Sequence, residues 1–230
     1  MTDRHLAGWT PRPRPSASVL DGRWCRLELL DPARHGDSLY EASVAPGTAE
    51  RFRYLFESPP ADRADFGAWC DRASRGDDPL FYAVVDHGTG RAEGRQALMR
   101  ITPEHGVIEI GSILWGPRIA RTRIATEALF LFARHAFDDL GYRRFEWKCD
   151  ALNEPSRRAA LRFGFAFEGI FRQHMVVKGR NRDTAWFAVT DVDWPSIRAG
   201  MERWLDQSNF DGNGRQKLSL QELPRPPEPE

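Results

Sequence analysis

The stretch DALNEPSRRAALRFGFAFEG, residues 150–169, carries the signals of one short helix with well-marked ends. Asn153 is a residue type preferred at the N-cap, and the acidic residue and proline that follow it are favourable in a first helical turn. Gly164 is typical of the position just beyond a helix, where the backbone turns left-handed. The sequence therefore predicts a helix between Asn153 and Gly164.

Ser156 has a distinctive position on this helix. At helical spacing it shares a face with Ala160 and Phe163, whereas the arginines of the segment point elsewhere. A hydroxyl in the first turn of an inward face can act on a ligand. The alternative is that Asn153 and Ser156 only cap the helix.

The residues before this helix predict a parallel pair of strands. VIEIGSILW, residues 107–115, is apolar on both alternating faces, which is typical of a central strand, and RRFEWKCD, residues 143–150, is the second strand. Between them, apolar side chains recur at helical spacing from Ala125 to Leu140, and Gly141 ends the helix. A strand, a long helix and a strand in this order predict a right-handed crossover.

The remaining strands are joined by short turns, which makes neighbours antiparallel. Further strands are predicted at 24–30, 80–86, 94–101 and on either side of a turn at 178–181, and helices at 32–43, 61–75 and 194–205. We therefore expect an α/β protein of the α+β type, with a mixed, mostly antiparallel sheet, one parallel β-α-β crossover and flanking helices. The predicted domain spans 19–205, between an extended arm (1–18) and a mobile, polar, Pro-rich tail (206–230).

Composition restricts the classes of function. The 230 residues contain 33 basic and 33 acidic side chains, and this balance argues against a general nucleic-acid binder. Three cysteines without metal-type spacing predict free thiols, a reducing compartment and no metal site. Because no apolar run is long enough for a membrane span and the first residues lack the apolar core of a signal peptide, we expect a cytoplasmic protein.

The helix and its surroundings resemble a known family. N-E-P-S-R-R-A-A-L-R-F-G-F, residues 153–165, followed by F-E-G, is similar to the second half of the GCN5-related N-acetyltransferase (GNAT) family, most of all to its RimJ/RimL-like branch. Upstream, I-G-S-I-L-W-G-P (110–117) and A-T-E-A-L (125–129) resemble that family's central strand and coenzyme-A helix. The resemblance covers roughly residues 24–195.

The resemblance implies a site for acetyl-CoA as cosubstrate, between the strands 107–115 and 143–150. The backbone of the first strand would bond the pantetheine arm and direct one N–H at the thioester oxygen. The N-terminus of the following helix would receive the pyrophosphate. Asn153 would bond the pantetheine arm, and Ser156 would lie near the sulfur. The implied cofactor-binding residues are Ile113, Leu114, Trp115, Arg121, Arg123, Ile124, Ala125, Thr126, Asn153 and Ser156.

The phosphate loop departs from the family pattern. Where the family has a basic residue and then glycines, this chain has Ala120, Arg121 and Arg123. We expect both arginines to point outward and clamp the CoA phosphates, while Ile124 to Thr126 keep the backbone nest. The alternative is that both are solvated charges and that phosphate is bound weakly.

Three residues are candidates for proton transfer. Where many family members have a tyrosine as the acid, this chain has Ala160, which leaves Ser156 as the implied donor to the departing thiolate. Glu109 interrupts an apolar strand and is one candidate base, although a structural pair with an arginine also explains it. His174 is the other candidate, and a packed or surface role is the alternative.

The predicted function is an N-acetyltransferase that moves an acetyl group from acetyl-CoA to a primary amine by direct attack. The acceptor could be a protein N-terminus, an amino acid or a small amine, and a homodimer is compatible with the sequence. The alternative is a noncatalytic acyl-CoA sensor or interaction module. Lys178, Arg180 and Arg182 are interpreted as a solvated turn, with contact to an acidic substrate or nucleic acid as the lesser alternative.

Overall fold

Eight strands form one sheet within residues 6–222, which are the residues that the computed structural model describes. The strands are β1 (Val19–Asp21), β2 (Cys25–Leu29), β3 (Leu80–Asp86), β4 (Ala92–Thr102), β5 (Val107–Trp115), β6 (Arg144–Asp150), β7 (Ala166–Val177) and β8 (Arg180–Thr190). The α-helices are α1 (Pro32–Val44), α2 (Thr48–Phe52), α3 (Arg63–Ala73), α4 (Arg123–Arg134), α5 (Glu154–Arg162) and α6 (Trp194–Leu205).

The sheet has the predicted mixed topology. Its strand order is β1-β2-β3-β4-β5-β6-β8-β7, and every neighbouring pair is antiparallel except β5 and β6. The crossover between β5 and β6 is α4, as predicted from the strand, helix, strand order. The predicted α+β fold with a single parallel crossover is therefore confirmed for the described residues.

The helices cover the two faces of the sheet unequally. On one face α4 lies in the larger core, where Phe132 and Leu129 pack with apolar side chains of β2, β3, β5 and β6. On the other face α1 and α3 cover a smaller cluster under β2 to β4, built around Leu39, Phe66 and Ala83. The half of this second face formed by β5, β6 and β8 carries the charged residues described below.

A buried carboxylate ties α4 to the start of β2. Glu127, the glutamate of A-T-E-A-L, accepts hydrogen bonds from the backbone N–H groups of Arg23, Trp24 and Cys25 at 2.8, 2.6 and 2.8 Å. Three donors satisfy a charge that burial alone would destabilise. Glu127 therefore has a structural role that the sequence pattern did not indicate.

The described part of the expected tail is folded. Residues 206–222 fold back and pack against α6, where the side chains of Phe210 and Leu220 are buried. Phe210 packs edge-on against Trp204 at 5.1 Å between ring centroids. The apolar residues within this polar stretch supply the packing, so residues 206–222 differ from the mobile tail expected from composition. Residues 223–230 lie outside the described range.

The described part of the N-terminal arm has no regular secondary structure and lies against the domain. The Trp9 indole donates to the Glu104 carbonyl at 2.8 Å, and the Tyr82 hydroxyl donates to the Ala17 carbonyl at 2.6 Å. Residues 1–5 lie outside the described range. The domain boundaries at 18 and 205 remain predictions.

Candidate active site

The parallel strands separate in the middle of the sheet. β5 and β6 pair from Val107 opposite Arg144 to Ile110 opposite Trp147, and then each continues with its other neighbour only. Ser112 has φ = +48°, and neither Ser112 nor Ile113 has a partner in the ladder with β4. This bulge bends β5 away from β6 and opens the sheet.

A cleft of about 470 Å³ occupies the opening. We call it the central cleft. Its walls come from both faces of the sheet, from the start of α5 and from the segment Glu50–Phe56. The lining residues used below are Tyr54, Phe56, Arg100, Glu109, Ser112, Ile113, Leu114, Trp115, Arg121, Trp147, Lys148, Cys149, Asp150, Asn153, Ser156 and Arg182.

The structure brings together only part of the predicted set. The predicted residues that line the central cleft are Glu109, Ile113, Leu114, Trp115, Arg121, Asn153 and Ser156. Those that do not line it are Arg123, Ile124, Ala125, Thr126 and His174. The strand and the short helix therefore meet at one site, while the first turn of α4 lies beside it.

The first turn of α5 holds Ser156 in a defined environment. Asn153 is the N-cap, as predicted, and its side-chain oxygen accepts from the Ser156 N–H at 3.2 Å. Ser156 Oγ accepts a hydrogen bond from the Trp147 indole N–H at 2.9 Å. Because the indole uses a lone pair of the oxygen and not its proton, the hydroxyl keeps a proton to donate.

Cys149 lies beside this hydroxyl and stays a thiol. Burial raises its pKa, and this effect exceeds the opposing influence of a hydrogen bond with Ser156. A neutral buried thiol is a poor nucleophile. Cys149 is therefore a poor candidate for forming a covalent intermediate.

Glu109 is a buried carboxylate with two cationic partners. Its side chain accepts from Arg100 Nη1 at 2.7 Å, and its second oxygen lies 2.9 Å from Lys148 Nζ. Burial raises the pKa of Glu109 even though both cations act in the opposite direction. Glu109 therefore has the arginine partner that was considered from the sequence, and it also lies on the wall of the cleft.

Lys148 extends the ion pair into a chain of charges across the sheet. Its ammonium lies 2.6 Å from Glu146 and 3.9 Å from the centre of the Trp186 ring. Burial alone would raise the pKa of Glu146, but hydrogen bonds from Lys148 and Arg144 lower it. The signal for this chain was the alternation of charges in FEWKCD. Sequence reasoning missed it because the pairing of Glu109 with Glu146 depends on the register.

His174 stands apart from the other candidates. It is exposed on β7, and its Nδ1 lies 2.9 Å from Thr184 Oγ1. The described hairpin therefore does not bring His174 to Ser156 and Glu109.

The phosphate loop differs from its expected form. Thr122 caps α4, and its side-chain and carbonyl oxygens accept from the N–H groups of Ile124 and Thr126 at 3.2 and 3.4 Å. The Arg123 guanidinium does not point outward, since it stacks 3.5 Å above the Trp24 ring. Arg121 is exposed, lines the cleft and has φ = +63°, a conformation that glycine adopts more easily.

A family model gives an independent assignment. The model of the acetyltransferase (GNAT) domain matches residues 26–166, from β2 to the start of β7.

The chain belongs to the GNAT acetyltransferase family.

Solved GNAT structures share the fold over nearly their whole length. A GCN5-related N-acetyltransferase from Brucella melitensis is 59% identical, with a TM-score of 0.93 over 94% of this chain and 98% of that one. A probable GNAT acetyltransferase from Chromobacterium violaceum is 38% identical, with a TM-score of 0.78 over 85% and 97%. The comparison with curated proteins gave no significant match.

A more distant GNAT structure shares only the fold. It is an acetyltransferase from Salmonella typhimurium that modifies the N-terminal serine of ribosomal protein L7/L12. Its identity is 19%, and its TM-score is 0.64 over 75% of this chain and 98% of that one.

Residues 6–222 contain neither a helix suited to a membrane nor a group of metal ligands. No helix in this range combines the length and the apolar character that crossing a bilayer requires. In the same range, no three His, Cys, Asp or Glu side chains are grouped as ligands for a metal ion.

Proposed function

We propose that this GNAT protein transfers an acetyl group from acetyl-CoA to a primary amine in a ternary complex. The observation that carries the proposal is the position of Ser156. Its hydroxyl stands at the opening between β5 and β6, and the Trp147 N–H bonds to its oxygen without using its proton. The family assignment supports acyl transfer in general, and this position supports the specific chemistry.

The residues present fit the cosubstrate. The bulge at Ser112 and Ile113 leaves backbone groups outside the strand ladder, where a pantetheine arm can bond to them. Asn153 lies on the same cleft, and Arg121 marks the end near α4. Bound acetyl-CoA would supply the activated carbonyl carbon and a thiolate leaving group.

The protein's own groups would then move two protons. Glu109 accepts the proton that the amine loses as its nitrogen bonds to the carbonyl carbon. Backbone N–H groups of the bulge stabilise the negative charge on the carbonyl oxygen. Ser156 donates a proton to the sulfur as the carbon–sulfur bond breaks, directly or through a water, and regains a proton from solvent while Glu109 releases the one it accepted. The products are an amide and free CoA.

The choice of acceptor rests on the local resemblance to the RimJ/RimL-like branch of the family. The pattern from Asn153 to Phe165 supports it, and the Salmonella structure shares the fold. An N-terminal α-amine has a pKa of about 8, so its deprotonation is easier than that of a lysine side chain. We therefore propose α-amines as the first acceptors to test.

Turnover with acetyl-CoA tests the function. Thiol release should be detected with at least one member of a panel of amino acids, small amines and short peptides. At 100 times its Kd, acetyl-CoA should also stabilise the fold by about 2.7 kcal/mol, a rise in Tm of about 5–10 °C. A missing thermal shift with both acetyl-CoA and CoA would contradict the proposed cosubstrate.

One observation favours a second function. The first-turn N–H group of Ile124 already bonds to the Thr122 side chain, and Arg123 is stacked on Trp24. These contacts weaken the phosphate site, as in a noncatalytic module that senses acyl-CoA. A thermal shift without turnover on any amine would support this alternative.

Arg121 is expected to be the cationic contact for the CoA phosphates. Arg121→Ala should weaken CoA binding by about 1 kcal/mol, roughly fivefold, at low salt and less at high salt. Arg118→Ala is the matched control, because Arg118 is also exposed but lies outside the cleft lining. Titration of both variants with CoA and dephospho-CoA measures the effect. Equal CoA affinity in wild type and Arg121→Ala would refute this role.

A further inference from the structure

Arg182 is a buried cation on the wall of the central cleft. Its place in an arginine-rich turn predicted a solvated side chain, but only 7% of the residue is exposed. Its guanidinium lies 4.9 Å from the centre of the Phe56 ring, and its Nε is buried without a hydrogen-bond partner. Among the described residues no carboxylate lies within ion-pair distance of it. The register explains the burial, because β8 continues past the end of β6 and carries Arg182 into the cleft.

Three other cations of the cleft wall have carboxylate or carbonyl partners. Arg100 and Lys148 share Glu109, and Lys148 also contacts Glu146. Arg51 donates to the carbonyls of Pro46 and Ala45. Arg182 differs from all three, since among the described residues no carboxylate or carbonyl contacts its guanidinium, and Asp150 offsets the cost of its burial only from a distance.

The position of Arg182 is on the acceptor side. Residues directly opposite each other in a sheet share a face, so Thr184 and Asp150 lie on one face and Arg182, two residues further, lies on it too. This is the face that carries Lys148 and Glu109. The first turn of α4, where the CoA phosphates are expected, packs on the opposite face.

The segment Glu50–Phe56 covers part of the cleft beside Arg182. Tyr54 donates its hydroxyl proton to the Leu152 carbonyl at 3.1 Å, and Lys178 Nζ donates to the Phe52 carbonyl at 2.9 Å. These bonds fix the segment that brings Phe56 against the guanidinium. An anion bound here would be partly shielded from water, which strengthens its attraction to Arg182.

We propose that Arg182 binds a carboxylate of the acceptor, so that the natural acceptor is an amine that also carries a carboxylate. This inference rests on the proposed acetyltransferase function. A guanidinium binds a carboxylate through two parallel N–H donors, and the buried Nε supplies one unsatisfied donor for that geometry. The carboxylate can belong to a free amino acid or to an acidic side chain near a peptide N-terminus.

The test compares matched acceptors. For wild type, kcat/KM should be roughly 10- to 100-fold higher for a carboxylate-bearing amine than for the same compound with the carboxylate converted to an amide. Arg182→Gln should remove this preference by raising KM for the carboxylate form, while kcat/KM for the amide form changes less than about threefold. Arg182→Lys should keep part of the preference. Free amino acids and peptides with an acidic second residue, each against its amide, distinguish the two sources.

Arg180→Gln is the matched control, because it removes the same charge from an exposed position two residues away on β8. It should leave the preference unchanged. CoA affinity should also be unchanged in Arg182→Gln, and a CoA Kd raised tenfold would instead assign Arg182 to the cofactor and overturn the proposal.

Two other outcomes are informative. Equal wild-type turnover of acid and amide would overturn the role of Arg182 and leave the acetyltransferase function intact. If no amine is acetylated, protection can still be measured. Saturating N-acetylated amino acid should raise the Tm of wild type and not that of Arg182→Gln, and equal shifts in both would overturn the carboxylate site.

Discussion

Ser156→Ala is expected to lower kcat about 100-fold, because a positioned general acid typically contributes at least this factor to the rate. The Kd of acetyl-CoA should change much less, since the cap formed by Asn153 bonds to the Ser156 backbone and not to its hydroxyl. Steady-state kinetics and a CoA titration give the two numbers. A kcat equal to that of wild type would show that Ser156 is not the acid and serves only in the N-terminal cap of α5.

The same change has a structural cost that must be separated from catalysis. It leaves the Trp147 N–H unpaired, which costs about 1–3 kcal/mol of unfolding free energy. Trp147→Phe removes the donor and keeps the ring contacts with Phe163 and Phe165. The double variant should recover part of the lost stability and none of the lost kcat, whereas Trp147→Phe alone should keep most of its activity.

Glu109→Gln is expected to lower kcat/KM by about 10² or more, through loss of the base that deprotonates the amine. Only the ionised carboxylate can accept this proton, so activity should fall as the pH drops through the pKa of Glu109. Because burial raises that pKa, the fall should occur at higher pH than for an ordinary glutamate. The Gln variant should lose this limb of the pH profile.

Two controls keep this result specific. The acceptor amine also titrates, so it could cause the fall of activity at low pH by itself. If it does, the pH of this fall should differ between two acceptors whose amines have different pKa values, and if Glu109 causes it, the pH should be the same for both. His174→Ala changes an exposed residue outside the cleft lining and should keep activity within about twofold. A large loss of activity in His174→Ala, together with a wild-type pH profile in Glu109→Gln, would identify His174 and not Glu109 as the base.

The pH dependence of stability has a defined sign. A carboxyl group whose pKa is raised by folding favours the folded state most at low pH, and this contribution disappears as the pH rises through the folded value. Ionised Glu109 therefore lowers the free energy of unfolding, relative to a solvated carboxylate, above its raised pKa. Catalysis requires the form that costs stability.

Local signals were sufficient for the cap of α5 and for all the strands and α-helices of the described residues except β1 and α2. Asn153 and Gly164 delimit α5 because N-cap and C′ preferences act through the nearest backbone groups, and Gly164 adopts φ = +92°. The crossover followed from the apolar period of α4. The location of Ser156 on the cleft could be predicted for the same reason, since it depends on one helical turn.

Contacts set by register and by bulges could not be predicted in this way. Arg182 looked solvated because its neighbours Lys178 and Arg180 are exposed, and only the alignment of β8 with β6 buries it. Lys148 joins Glu109 because two strands distant in sequence are in register. Arg123 stacks on Trp24, which lies about 100 positions earlier in the chain, so the sequence of the loop could not predict this contact.

The place of β8 between β6 and β7 has a consequence for synthesis on the ribosome. Until residues 180–190 emerge, β6 has β5 on one side and an unpaired edge on the other. An open central edge can recruit another strand, which makes the nascent chain prone to aggregation at this stage. Nascent chains arrested before residue 180 should therefore bind chaperones that longer chains release. The complete sheet can fold only late in translation.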